Sequence, residues 1–485
     1  MKNLVPEFSG PTTVIQAKRE AVTAILDHLG RPPGPFPAKV SALACLTLFV
    51  AWLAASAAQA TGATGRYEGV ATCAGSTCHG RAEGNGKVVR QDELRRWQEP
   101  SSPSGAHSRA FAVLSGQRGQ QIAATLGLGM ATSAPACLGC HTTDAPLTRR
   151  GDRYQLGDGV GCESCHGVST GWLATHYTVR GSHASNVAQG LIPLENPSVR
   201  AAVCLDCHYG SDKPGQFVTH RMMAAGHPRI SFELDLFSSL QQHHDEDADY
   251  AARKGHTDSL RLWAVGQAEA VQRSLSLFSR PSFASQGIFP EFTFYDCHSC
   301  HRQIFAAAER HLTFEANPGR PIPFGTPPYN DENIIMLSAV AQVLAPGQAA
   351  SFDVASRNFH AAMGSGRAQT VAAAARLSAA AGGLSQAMAQ GNYGGESAFT
   401  VIATISGRAI SPRFTDYTGS AQAVMAVDTL LNALVRQGRI TVGAAAGIRA
   451  NINRAYAAVK DPNGYDPAGF RSALGDAARS IEALR

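Results

Sequence analysis

A histidine directly follows the second cysteine of every cysteine pair in this chain, and no other feature constrains it as much. Of eleven cysteines, Cys45 sits alone in an apolar run near the start. The other ten form five pairs: Cys73/Cys78, Cys137/Cys140, Cys162/Cys165, Cys204/Cys207 and Cys297/Cys300. His79, His141, His166, His208 and His301 follow them in turn. Histidine makes up only 17 of 485 residues, so five such coincidences have a chance probability on the order of 10⁻⁷.

Three chemistries use paired cysteines. Disulfides would consume all ten, but they give no reason for the histidine. Structural zinc sites combine two cysteine pairs and need no adjacent histidine. Covalent haem accounts for every part of the pattern: two thiols add to the two vinyl groups, and the next residue ligates iron from below the ring. Four pairs have the C-x-x-C-H spacing. The fifth, "CAGSTCHG" at residues 73–80, has four residues between its cysteines. Its spacer must bulge away from a ring, but the relation of Cys78 to His79 that sets iron ligation is kept. The expectation is five covalently attached haem c groups, held by the ten cysteines with the five following histidines as iron ligands.

Closing each iron with a second imidazole needs five more histidines. His28 lies in the presequence, which leaves His107, His176, His183, His220, His227, His243, His244, His256, His298, His311 and His360. Eight of these fall between His107 and His256, among the cysteine motifs. Met222 and Met223 are alternative ligands that would raise a potential. They are flanked by His220 and His227, which are the preferred donors.

The N-terminus reads as an export signal. Residues 40–58, "VSALACLTLFVAWLAASAA", carry no charge, follow Lys39 and lead into Ala58-Gln59-Ala60, a small-x-small triplet suited to signal peptidase. The alternative is a retained membrane anchor. Haem attachment outside the cytoplasm agrees with export, so the expected location is periplasmic, with membrane association only if this segment is kept. The net charge of +5 is small for 485 residues. No basic patch interleaved with aromatics appears, which excludes nucleic acid as a partner class.

The expected fold is mainly α, in three parts. Residues 1–60 are the signal or anchor. Residues 61–325 form a haem-packed domain of short helices and long loops, because porphyrins supply much of its apolar core. Residues 326–485 form a haem-free, alanine-rich helical bundle. "NPGRPIPFGTPPYND", residues 317–331, reads as the linker between the last two. Helices are expected over 197–208 and 259–278, and then at 332–345, 350–363, 367–390, 417–437, 441–459 and 466–484, with Gly391, Gly394 and Gly395 breaking the middle. The bundle is expected to pack as a cap on the haem domain. The acidic stretch Asp245, Glu246, Asp247 and Asp249 reads as a solvated turn.

Several stretches resemble the exported multihaem c-type cytochromes related to the tetrahaem electron carrier of ammonia oxidation. They are "CAGSTCHG", "RRWQEPSSPSGAHSRAFAVL", "IAATLGL" before "CLGCH", "GVGCESCHGVSTGWLATH", "RAAVCLDCHYGSDKPGQFVTHRMMAAGHPRISFELDLF", "LWAVGQ" and "CHSCH". They span most of residues 68–311, and the long first spacer is itself usual in that group. The resemblance implies that His107, His176, His220 and His227 are distal ligands. For the fifth it offers His183, seven residues after His176, or the pair His243/His244, and His183 is taken as the expectation. "HHDEDADY" is more acidic than the family pattern, and the segment after His301 departs from it.

The function that follows is electron transfer between redox partner proteins, such as other cytochromes or quinol-linked or terminal reductases. Iron closed by two imidazoles offers no open position to a substrate and changes oxidation state with little rearrangement. The alternative is an oxidoreductase with one open haem acting on a small nitrogen oxide or hydroxylamine. The sequence has no C-x-x-C-Lys variant of the kind that pentahaem nitrite reductases use, and it has a surplus of histidines, so a carrier is preferred over an enzyme.

Overall fold

The computed structural model describes residues 65–485 except 85–89, 179–180, 230, 256, 281–289, 302–319, 324 and 410–416. The expected export segment, His28, His256 and His311 lie outside the described residues. Gly65–Arg485 form one compact unit. Among the described residues it is helical, with two isolated bridges, Tyr67 to Arg150 and Tyr295 to Tyr329, as its only β pairing. No described helix is long and apolar enough to cross a membrane.

The first part is built from short helices: α1 (Val70–Cys73), α2 (Glu93–Trp97), α3 (Gln117–Leu126), α4 (Pro135–His141), α5 (Cys162–His166), α6 (His183–Ala188), α7 (Pro197–His208), α8 (His220–Ala224), α9 (Leu234–Leu240) and α10 (Ala248–Lys254). Local chemistry sets their starts. Pro135 and Pro197 open α4 and α7 at positions where a missing N–H costs nothing. The Asn196 side chain accepts from the Ser198 and Val199 amides, and Thr219 caps α8 by accepting from Met222. Three of these helices, α4, α5 and α7, end on a motif histidine, at His141, His166 and His208.

Apolar packing is unevenly distributed. Among the described residues before 259, clustered buried apolar side chains are few: one group around Leu114, Ala123 and Ala131, and one of Ala201, Leu205, Phe232 and Leu234 that is completed by Leu262 and Ala270. So little apolar side-chain core is too small to hold a chain of that length alone. The large core begins at α11 (Ser259–Ser279), a 21-residue helix with 15 buried residues, including Leu260, Trp263, Val271, Leu275 and Phe278. Around it pack α12 (Glu332–Leu344), α13 (Pro346–Ala362), α14 (Arg367–Gln390), α15 (Gly395–Ala409), α16 (Tyr417–Arg436), α17 (Val442–Ala458) and α18 (Pro467–Glu482).

The helices expected at 197–208 and 259–278 and six of the bundle helices are present within a few residues of the expected limits. Helix α15 lies outside the expected set. Its β-branched and glycine-containing sequence is a weak helix former next to the glycine cluster. Phe399, Val401, Ile402 and Ile405 are nevertheless fully buried, and packing overrides propensity. The boundary drawn at 325 falls inside the compact unit. Helix α11 belongs to the cysteine-bearing half by sequence but packs into the bundle, chiefly along α14. Polar ties also cross the boundary. Gln422 donates to the Phe232 carbonyl, Thr429 to the buried Glu233, Arg436 to Asp235 and Thr418 to Asp296.

Candidate haem site

The first motif shows how a long spacer is accommodated. In the last motif the His301 amide donates to the carbonyl of Cys297, the first cysteine, at 2.8 Å. In "CAGSTCHG" the His79 amide donates to Cys73, again the first cysteine, at 3.2 Å. The extra residues are folded out in a turn closed by Cys78 N–H to Gly75 O at 2.8 Å and Gly80 N–H to Gly75 O at 3.1 Å. The turn is tight enough to require glycine at 80: a Cβ there would lie 2.0 Å from the Ala74 carbonyl oxygen.

Each motif histidine faces a second imidazole brought from elsewhere in the chain. His79 stacks opposite His176 with ring centres 6.3 Å apart, and His208 faces His107 at 6.0 Å. His141 faces His227 at 6.4 Å, and His301 faces His220 at 6.1 Å. His166 faces both His243 at 6.3 Å and His244 at 6.0 Å, and the nitrogens of these three lie within 4.8 Å of one another. An imidazole nitrogen binds a first-row metal at about 2.0–2.1 Å, so two imidazoles on opposite sides of one metal have ring centres about 6.3 Å apart. The five sets of rings therefore fit a haem iron between each pair.

The position opposite His166 corrects one expectation. His183 starts α6, is partly exposed and pairs through Nε2 with Glu195. The imidazoles that meet His166 come from the turn after α9 instead. Two of the acidic residues next to them do more than meet solvent. Asp245 pairs with Arg90 and Arg96, and Asp247 with Arg90, which clasps the His243/His244 loop to α2. His360 is fully buried in the bundle against Asp331, 3.2 Å away, so it serves packing there. Met222 and Met223 lie on α8 between His220 and His227.

Hydrogen bonds fix which ring nitrogen is available. His243 Nδ1 lies against both the side-chain amide (3.0 Å) and the carbonyl (3.2 Å) of Gln241. Nδ1–H donates to the Ala110 carbonyl from His141 (2.7 Å), to Leu173 from His176 (2.6 Å) and to Pro228 from His227 (2.8 Å). Nε2 is then the free ligand atom on each. His79 differs, because its Nδ1 lies 3.1 Å from the buried carboxylate of Glu93. Burial holds several of these imidazoles neutral, the form that binds metal. His166 is pushed down to about 3, with the neighbouring His244, His243 and His79 adding to the effect. His208 and His243 are pushed to about 4, each with a neighbouring histidine as a second cause.

The cysteines are free thiols rather than disulfides. Burial pushes Cys165 up to about 12 and Cys204 up to about 11. The motifs are also close to one another. Cys73 and Cys162 share a hydrogen bond, as do Cys140 and Cys207, and Cys165 is near Cys204 and Cys207.

Cys300 and Cys78 stand apart from the other motif cysteines. Both are exposed, whereas the other eight are partly buried. The reason at Cys300 is local. The second, third and fourth motifs lie on α4, α5 and α7, but the last one forms only a short 3₁₀ turn, Cys297–Ser299, and Cys300 ends it. Its amide donates to the Cys297 carbonyl at 3.3 Å, and its sulfur accepts from the Ser299 hydroxyl at 3.8 Å. Among the described residues α16 packs near this turn through the Thr418 bond to Asp296 and leaves the Cys300 thiol exposed.

The sequence reading missed two contributors. Phe232 stacks on His208 at 4.9 Å, and Glu93 stands 14 residues after His79 with no spacing signal to mark it.

Comparison with known proteins agrees in chemistry. Residues 72–167 match the family described as cytochrome c554 and c-prime. This stretch holds the first three cysteine motifs, and the match marks a c-type cytochrome, with covalently attached haem c and an electron-carrying role. No curated protein and no solved structure matches the chain.

Proposed function

We propose that this protein is an exported five-haem electron carrier in which every iron is closed by two histidines. The observation that carries the reading is the set of five opposed imidazoles at 6.0–6.4 Å, each including the histidine that follows a cysteine pair. The pairs are His79/His176, His208/His107, His141/His227, His301/His220, and His166 with His243 or His244. Haem supplies one-electron ferric/ferrous chemistry when bound. The residues of the chain orient several ligands through the Nδ1 bonds, keep some of the imidazoles, such as His166 and His208, neutral by burial and leave no coordination position to a substrate.

The cysteine contacts support a continuous series of sites: first motif to third, third to fourth, fourth to second. Helix α8 and the turn after it extend the series to the last motif, since His220 at the helix start and His227 beyond its end face His301 and His141. The exposed Cys300 suits a terminal site of this series, where a haem edge meets solvent and a partner. Short steps along the series suit relay between redox partner proteins at its ends. The uncharged segment 40–58 supports a periplasmic location.

Electron paramagnetic resonance of the oxidised holoprotein, with its intact mass, tests the proposal. Five added haems and only low-spin ferric signals are expected. A high-spin component that shifts on adding nitric oxide or hydroxylamine would overturn the carrier reading, and four haems would overturn the five-site count.

A further inference from the structure

Three of the Nδ1 bonds described above end on neutral backbone carbonyls and His243 leans on Gln241, but the remaining acceptor, Glu93, is a carboxylate that faces two imidazoles. Its Oε2 lies 3.1 Å from His79 Nδ1, and its Oε1 lies 3.8 Å from His244 Nδ1. Oε1 also accepts the Gln91 amide at 3.2 Å, which fixes the plane of the group. The side chain is 6% exposed. With Nδ1 turned to Glu93, the Nε2 of His244 is buried without a hydrogen-bond partner, and its ring stands 6.0 Å from that of His166. The Arg90 and Arg96 pairs with Asp245 and Asp247 tie the loop carrying His244 to the segment carrying Glu93. His243 makes no hydrogen bond to this carboxylate, its Nδ1 lying against Gln241 instead.

We infer that Glu93 is a shared positioning residue for two haems: it backs His79 of the first motif and selects His244 over His243 as the imidazole opposite His166 of the third. This rests on the five-haem, two-histidine reading above. A carboxylate behind a ligand imidazole makes it the stronger donor, which favours ferric iron. The first and third sites are therefore biased to lower potential than the sites whose ligands lean only on carbonyls. One charge acts on two neighbouring members of the series.

The test uses the full holoprotein and the variants E93Q, E93D, H243A and H244A. Haem count by intact mass comes first: fewer than five haems in the native protein would sink the underlying reading, whatever Glu93 does. With five retained, spectropotentiometric titration of E93Q is expected to move two of the five couples upward. A tenfold change in each ferric/ferrous equilibrium is about 59 mV for one electron. The other three stay in place, and E93D restores most of the shift. H243A is expected to keep all signals low-spin and all five couples in place, whereas H244A opens one iron or displaces its couple. No moving couple in E93Q, only one moving, or a high-spin signal in H243A would overturn the inference. If E93Q assembles poorly, the H243A and H244A pair decides the matter.

Discussion

Gly80 shows how much can rest on one atom. The first motif keeps its histidine in register only because the chain turns back within contact of Ala74. A methyl group there meets backbone, which cannot move aside as a flexible side chain would, at a cost of about 1–3 kcal/mol. Gly80→Ala is therefore expected to yield a fraction of molecules with one haem fewer, read by intact mass, with the other four motifs unaffected. At the opposite end of an axis, His107 lies on a turn far from the motif it faces. His107→Ala is expected to add one high-spin ferric signal to the resonance spectrum of the oxidised protein and leave the haem count at five. The five motif histidines were legible because covalent attachment needs its residues contiguous. Four of their partners, His107, His176, His220 and His227, were offered only by the family resemblance, and the fifth, His183, was misplaced, because nothing local distinguishes a histidine that will face iron from one that meets a glutamate. Nor does spacing tell an enclosed cysteine from an exposed one such as Cys300.

Among the elements, α9 carries an unusual start. Glu233 caps it, accepting the Asp235 and Leu236 amides, and is buried beneath α16. Burial, with Asp235 beside it, pushes Glu233 up to about 8, and burial lifts Asp235 to about 6 in spite of Arg436. A carboxyl raised in the folded state binds more protons folded than unfolded, so stability falls as pH rises from about 4.5 through 8. Thermal melts should show Glu233→Gln gaining on the native protein between pH 5 and pH 8. A constant difference across that range would rule out this origin. Element existence was legible where periodicity was long, as in α11 and α14. Helix α15 was hidden because its stability comes from the four large side chains it buries, not from its own sequence.

At the scale of the whole molecule, the cysteine-free bundle and the cysteine-bearing half share one large core. Leu260, Trp263, Val271, Leu275 and Phe278 of α11 are buried in it. Burying such side chains contributes about 1.5–3 kcal/mol each. A chain ending at residue 325 would expose that face and lose the Thr418 tie to Asp296, whose side chain caps the turn Cys297–Ser299. Such a truncation is expected to be poorly soluble and to carry fewer than five haems. A soluble five-haem product would show that the bundle is dispensable.

The covalent chemistry was written in the sequence, because two thioethers and one ligand require adjacent residues, and so were the helical class and most of the helices. Tertiary structure alone decided which distant imidazole meets which motif, that the acidic loop clasps α2, and that one carboxylate backs two rings. Those contacts join residues far apart in the chain, and no local spacing encodes a distance that only packing sets.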